Sequence, residues 1–201
     1  MHSLKIIKKM NFFLIFGIIF FSFNISQSKE PINFVEEVTS KASKVLMTSL
    51  DKDSKIEKLR KIAEENVDIR GVGFYSLGKH RKKINKSQLN EYHSLFREYF
   101  LKSFSSRLSE YTDPKINVLS QEILSPKYTI VSSILVASEN RPEIKIEWRV
   151  YTKNLEKPLI RDLIIEGISL ARTQKEEFNS IIQSAEGDIN ALFDNLRKFN
   201  N

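Results

Sequence analysis

Near Pro114 the apolar side chains of this 201-residue chain change period. Before that point they recur every three or four residues, the spacing of a helix face. After it they alternate, the spacing of a half-buried strand. Near Gln174 the helical period returns. Segregated helices and strands define the α+β class.

Prolines set the frame of the second half. Pro114, Pro126, Pro142 and Pro158 stand at intervals of 12, 16 and 16 residues. Proline cannot donate to a sheet ladder, so each marks a strand edge. Four strand-like runs follow: 116–124, 128–138, 144–152 and 159–171. The third alternates strictly, with Ile144, Ile146, Trp148 and Val150 on one face and Lys145, Glu147 and Arg149 on the other. The second has apolar residues on both faces (Ile130, Ile134 and Val136 against Val131, Leu135 and Ala137), so both faces are expected to be covered. Short connections imply antiparallel meander pairing. The expected fold is a four-stranded antiparallel sheet with helices packed on one concave face.

Five further stretches are helical. Asn33 and Glu36 are spaced as a capping box for the first helix, whose stripe is Phe34, Val38, Ala42, Val45 and Leu46. A second runs over 53–66, with Gly71, Gly73 and Gly78 marking an irregular segment after it. The longest, over 87–111, is preceded by Asn85 and Gln88 at capping-box spacing. It presents one broad aromatic face that includes Tyr92, Phe96, Tyr99, Phe100, Phe104 and Leu108; Ser105 and Arg97 lie opposite. Two closing helices are expected over 174–185 and from about Asp188.

The N-terminus reads as an export signal. Lys5, Lys8 and Lys9 precede an apolar run from Phe12 to Phe23, and Ser26-Gln27-Ser28 offers small residues at the two positions a signal peptidase reads. The apolar run is roughly a dozen residues, against the ~20 of a spanning helix. Residues 1–28 are therefore expected to be removed, leaving 29–201 as one domain. The formal net charge of +7 falls by three when those lysines leave. That residual basicity suits anionic membrane surfaces or acidic partners, while export and the lack of a basic helix argue against nucleic acid. The chain contains no cysteine, so it has no disulfide framework and no thiolate metal site.

Reactive chemistry is thinly represented. His80 lies in the basic run Lys79–Lys83 and reads as a solvated loop residue; His93 lies beside the aromatic helix face. Asp162 and Glu166 are four apart on an expected strand and share a face with Ile160, Ile164 and Ile168. Two carboxylates there read either as an acid–base pair or as ends of salt bridges to Arg149, Arg161 or Lys157. There is no phosphate loop, nucleophile elbow or zinc-binding helix signature. What stands out is apolar surface, and pattern alone does not separate a filled core from an open cavity.

Two blocks carry a family resemblance. The stretch Asp162-Leu-Ile-Ile-Glu-Gly-Ile-Ser-Leu170, with Glu177-Phe178 and Asp188-Ile-Asn-Ala-Leu192 after it, resembles the C-terminal signature of the MlaC family. Asp68-Ile69, Leu77-Gly78, Gln88, Phe96, Phe100 and Tyr111 agree in order and spacing. The resemblance covers nearly all of residues 33–198. It implies a cone-like fold related to nuclear transport factor two, with a deep apolar cavity between sheet and helices. It also implies a periplasmic phospholipid carrier of the Mla pathway, the pathway that maintains outer-membrane lipid asymmetry. The implied cargo is a phospholipid; a related subgroup is associated with hopanoids. The implied partners are an inner-membrane ATP-driven ABC transporter with a lipid-binding ring protein, and an outer-membrane lipoprotein associated with a porin. No catalytic residue, metal or cofactor is expected. An enzyme on the same cone fold, using Asp162 and Glu166, and an envelope protein-binding module are the competing readings.

The expected lipid-binding residues are Phe96, Tyr99, Phe100 and Phe104 on the long helix, with Ile134, Val136, Ile146, Trp148, Ile164 and Ile168 on the sheet. Exported protein is expected to start at Lys29. Intact mass of the secreted product checks this, and a mass that includes residues 1–28 sinks it.

Overall fold

A computed structural model describes residues 30–139 and 141–201; the expected signal segment 1–28 lies outside the described residues. Among these residues, six α-helices accompany one antiparallel sheet. The helices are α1 (Pro31–Leu46), α2 (Lys52–Asn66), α3 (Ile69–Ser76), α4 (Lys86–Leu108), α5 (Leu170–Ser184) and α6 (Asn190–Asn200). The strands are β1 (Ile116–Ser125), β2 (Tyr128–Leu135), β3 (Ile144–Tyr151), β4 (Leu159–Ile165) and β5 (Ile168–Ser169), hydrogen-bonded in that order.

The sheet thus has five strands, not four. The run over 159–171 contains a hairpin: Glu166 (φ 48°) and Gly167 (φ 81°) both take positive φ. Two such residues make the tight turn whose twist matches antiparallel strands, and glycine adopts it freely. Ile165 then pairs with Ile168, and Ile164 with Ser169. The chain enters α5 at once, capped by the Ser169 hydroxyl on the Arg172 amide at 3.1 Å. Helix α5 therefore begins four residues earlier than expected.

Helix starts follow local chemistry. The Asn85 side chain accepts from the Gln88 amide at 2.9 Å, and the Gln88 side chain accepts from the Asn85 amide at 3.0 Å, completing the expected capping box. The box expected at Asn33 does not form. Helix α1 already begins at Pro31, whose fixed φ suits the first turn and whose missing N–H leaves no orphan donor. The glycine-containing segment expected to be irregular forms the short helix α3, capped by Asp68 on the Gly71 amide at 2.8 Å, and a 3-10 turn over Gly78–Lys82.

Packing yields two apolar cores rather than one. Strand residues alternate between buried and half-buried, so Val131, Ile146, Trp148 and Val150 meet Phe34, Val35 and Val38 of α1. The second core is helical, with Tyr92, Phe96, Leu101, Phe178, Ile182 and Phe193 at its centre. Helix α4 packs on α2, α3 and α6 and makes no comparably extensive contact with any strand. Val67 touches both cores. Ser105, expected on the solvent side of α4, is fully buried and donates to the Leu101 carbonyl at 2.5 Å. The Trp148 indole N–H reaches the Ser133 hydroxyl at 2.9 Å, so that buried donor is satisfied.

Gly73 of α3 fixes how closely α3 approaches α4. Its carbonyl accepts from the Tyr92 hydroxyl at 2.9 Å, and a Cβ there would stand 2.6 Å from the Phe96 ring. Alanine improves helix propensity by about 1 kcal/mol. Overpacking a buried aromatic costs about 1–3 kcal/mol, and Phe96 is 1% exposed, with Tyr92 and Phe178 packed against its ring. Gly73→Ala is expected to lower the thermal midpoint by several degrees; a midpoint unchanged or raised would show that the Phe96 ring yields freely.

Candidate functional site

The two cores leave a cavity of about 240 Å³ between them. Helix α4 supplies one wall through Phe96, Tyr99, Phe100, Ser103, Phe104 and Arg107, a single helical stripe at steps of three and four. The rings form a continuous surface: Phe96 and Phe100 have centroids 6.2 Å apart, and Phe100 and Phe104 stack at 5.5 Å with 10° between planes. Trp148, Ile160 and Leu163 of the sheet form the facing wall. Val67 and Val72 close one side, and Leu170, Thr173, Gln174 and Glu177 of α5 the other.

The polar groups on these walls are largely committed to one another. Arg161 pairs with the Asp68 carboxylate at 2.6 Å, donates to the Tyr128 hydroxyl at 2.7 Å, and lies 3.9 Å from the Tyr151 ring centroid. Burial works against its charge, but the Asp68 and Tyr128 hydrogen bonds outweigh that and raise its pKa above the ordinary arginine value. Asp162 accepts from the Ser169 hydroxyl at 2.6 Å and the Ala171 amide at 3.0 Å, with Arg149 at 3.5 Å. The Tyr99 hydroxyl donates to Gln174 at 3.0 Å, and Gln174 donates to Glu177 at 2.9 Å. Burial, and then the nearby Glu177 charge, push the Tyr99 hydroxyl above its ordinary pKa.

Of the ten residues singled out from sequence, Phe96, Tyr99, Phe100, Phe104 and Trp148 line the cavity. Ile146 shares the Trp148 face but is buried in the α1–sheet core. Ile134 and Ile164 do not line it. They pair across the ladder with Lys145 and Glu147, on the face opposite Trp148. Val136 lies beyond the end of β2, and Ile168 is 62% exposed in β5 because the hairpin turns it away. Ser103 and Arg107 continue the aromatic stripe at the same spacing but were passed over as polar. Leu170, Thr173, Gln174 and Glu177 repeat that spacing on α5, in a stretch read partly as strand.

The acid–base pair dissolves. Asp162 is buried, whereas Glu166 sits exposed in the turn and accepts from the Lys145 amide. His80, expected in solvent, is 3% exposed, with its Nε2 3.1 Å from the Asn179 side-chain oxygen. His93 is half-buried, and burial followed by the Arg70 charge holds its pKa below the ordinary value. Among the described residues no group of three or more acidic or imidazole side chains is placed to hold a metal ion. None of their helices is long and apolar enough to cross a membrane.

An antiparallel sheet faced by helices, with an aromatic-walled cavity between two adjoining cores, defines an α+β protein built around a cavity. The MlaC protein family model matches residues 34–198, and the chain belongs to the MlaC family. Among solved structures it is similar to the phospholipid-binding protein from Ralstonia solanacearum, determined in complex with a phospholipid. That likeness has a TM-score of 0.69 at 15% identity and covers 83% of this chain and 94% of the other. No curated protein matches in sequence.

The Asp162 network anchors β4 to the start of α5. Removing its carboxylate leaves the Ala171 amide and Ser169 hydroxyl without an acceptor, a loss of about 2–4 kcal/mol. Asp162→Ala is expected to lose that much in denaturant unfolding, and Asp162→Asn less. A change under about 0.5 kcal/mol in Asp162→Ala would mean water replaces the carboxylate at little cost.

Proposed function

We propose that this chain is an exported periplasmic carrier that holds a phospholipid by its acyl chains and does no covalent chemistry on it. The observation that carries the reading is the aromatic Phe96–Phe100–Phe104 wall, which lines one cavity with Trp148, Ile160 and Leu163. Family membership and the phospholipid bound in the Ralstonia solanacearum neighbour support it.

The physics of such a carrier is a transfer balance. Each methylene moved out of water gains about 0.8 kcal/mol, so an acyl chain represents on the order of 10 kcal/mol. A shallow patch does not offset the loss of the bilayer; an enclosed apolar space does. The cavity lies below the ~300–1,000 Å³ typical of small-molecule sites. Two acyl chains therefore require it to widen. Helix α4 rests mainly on α2, α3 and α6 rather than on the sheet, so the widening falls on the α4 wall. A bilayer stabilises tails about as well as a cavity does, so direction of transport falls to the partners. These are an ATP-driven inner-membrane complex with a lipid-binding ring protein, and an outer-membrane lipoprotein–porin complex.

The test exports the full chain, extracts the purified protein with organic solvent, and identifies the released molecules by mass spectrometry. A released phospholipid is expected; a hopanoid or an empty protein counts against the reading. Phe100→Glu, on the cavity wall, is expected to lower lipid loading severalfold with circular dichroism unchanged. Ile146→Glu, in the α1–sheet core, is expected to lose fold and loading together. Full loading in soluble Phe100→Glu would remove the cavity from the account.

A further inference from the structure

The rim of the cavity carries two charges that the protein does not neutralise. Arg107 stands in the last turn of α4 and Glu177 in α5; both are exposed and both border the cavity. Neither forms an ion pair with any described residue, and Glu177 accepts only the Gln174 amide at 2.9 Å. Elsewhere on the molecule Arg60, Arg97, Arg149, Arg161 and Arg197 each pair with a carboxylate, whereas these two charges, which border one cavity, do not pair. Both line the same cavity as Tyr99, whose hydroxyl pKa Glu177 raises and Arg107 lowers, yet they are not joined to each other.

We propose that this rim pair receives a zwitterionic phospholipid head group, with its phosphate on Arg107 and its ammonium on Glu177. The inference rests on the carrier reading and adds head-group selection to it. Guanidinium matches the geometry of a phosphate, and the Ser103 hydroxyl one turn earlier on the same stripe adds a donor. Tails attached below that phosphate run along Phe104, Phe100 and Phe96 toward the buried end of the cavity. A head group with phosphate but no ammonium leaves Glu177 facing an anion. Exposed charges are screened, so each contact supports roughly a two- to fivefold preference.

The experiment loads the full chain from vesicles containing equal phosphatidylethanolamine and phosphatidylglycerol, then reads the bound ratio and total by mass spectrometry. Wild type is expected to favour the ethanolamine lipid. Glu177→Gln is expected to bring the ratio about two- to fivefold toward unity with total loading kept, and Arg107→Gln to lower total loading of both lipids. Glu156→Gln, in the distant β3–β4 loop, is expected to change neither. A wild-type ratio of one, a ratio unmoved by Glu177→Gln, or loading unmoved by Arg107→Gln overturns the head-group assignment while leaving the carrier reading intact. Competition by free phosphoethanolamine as effective as by the lipid overturns the lipid source in favour of a soluble phosphoamine. A wild type that binds neither lipid overturns the carrier reading, and the assignment with it. All variants change exposed side chains, and unaltered thermal unfolding confirms that their effects are local.

Discussion

Asp68 fastens the helical body to the sheet at one end of β4. Its side chain caps α3 and pairs with Arg161 of β4, and its backbone N–H donates to the Ile160 carbonyl at 2.9 Å. Val67 beside it makes a parallel bridge to Ile160 and touches both cores. An exposed ion pair contributes about 0–1 kcal/mol. This one is largely shielded, carries a cap, and sets its cation on the Tyr151 ring, which adds roughly 0.5–2 kcal/mol. The fastening is local. It lets two apolar cores share one boundary at Val67 while diverging beyond it, and the divergence is the cavity.

Divergence determines what the walls can do. A single merged core would have filled this space to the density of a crystal. Here aromatic rings from α4 and apolar side chains from the sheet line one open cavity instead. Arg161 and Asp162 are consumed by the scaffold, the first in the Asp68 clasp and the second in the β4–α5 junction. A group held by three partners is poorly placed to give or take a proton from a guest. The site therefore presents mostly hydrocarbon, with uncommitted charge only at its rim.

Much of this was legible in the sequence where a pattern was long and one-sided. The aromatic stripe of α4 spans three turns and is announced by a capping box, so helix, face and half of the cavity wall could be read together. Strand β3 alternates cleanly, which placed Trp148 and Ile146 on the inner face. The reading failed where local signals compete. In β2 both faces are apolar, so nothing in Ile130–Ala137 says that Val131 and Leu135, not Ile134, point inward. In 159–171 the apolar run masked the Glu166-Gly167 turn, and a two-residue turn reverses the strand. That turn carries Ile168 outward, and pairing sets Leu163 beside Trp148 on the inner face and Ile164 beside Glu147 on the outer one. His80 was hidden by its basic neighbours, since a 3-10 turn can bury one side chain and leave Lys79 and Arg81 in solvent. What tertiary contact decides, namely which of two apolar faces is covered and how far two cores diverge, has no one-dimensional signature.

On the carrier reading, looseness between the cores is as necessary as greasiness. Cargo gains nearly the same free energy per methylene in a bilayer as in a cavity, so small differences in packing accumulate along a chain. A mismatch of about 0.1 kcal/mol per methylene, summed over about fourteen methylenes, already shifts the partition roughly tenfold. A cavity packed as tightly as the Tyr92–Phe178–Phe193 core would hold its guest too well to release it. A wall that rests on α2, α3 and α6 and only lightly on the sheet can take a tail and also surrender it. Selectivity then cannot come from the hydrocarbon part, which every phospholipid shares. It must lie at the rim, where the walls stop being apolar and where Arg107 and Glu177 remain outside any ion pair with a described residue.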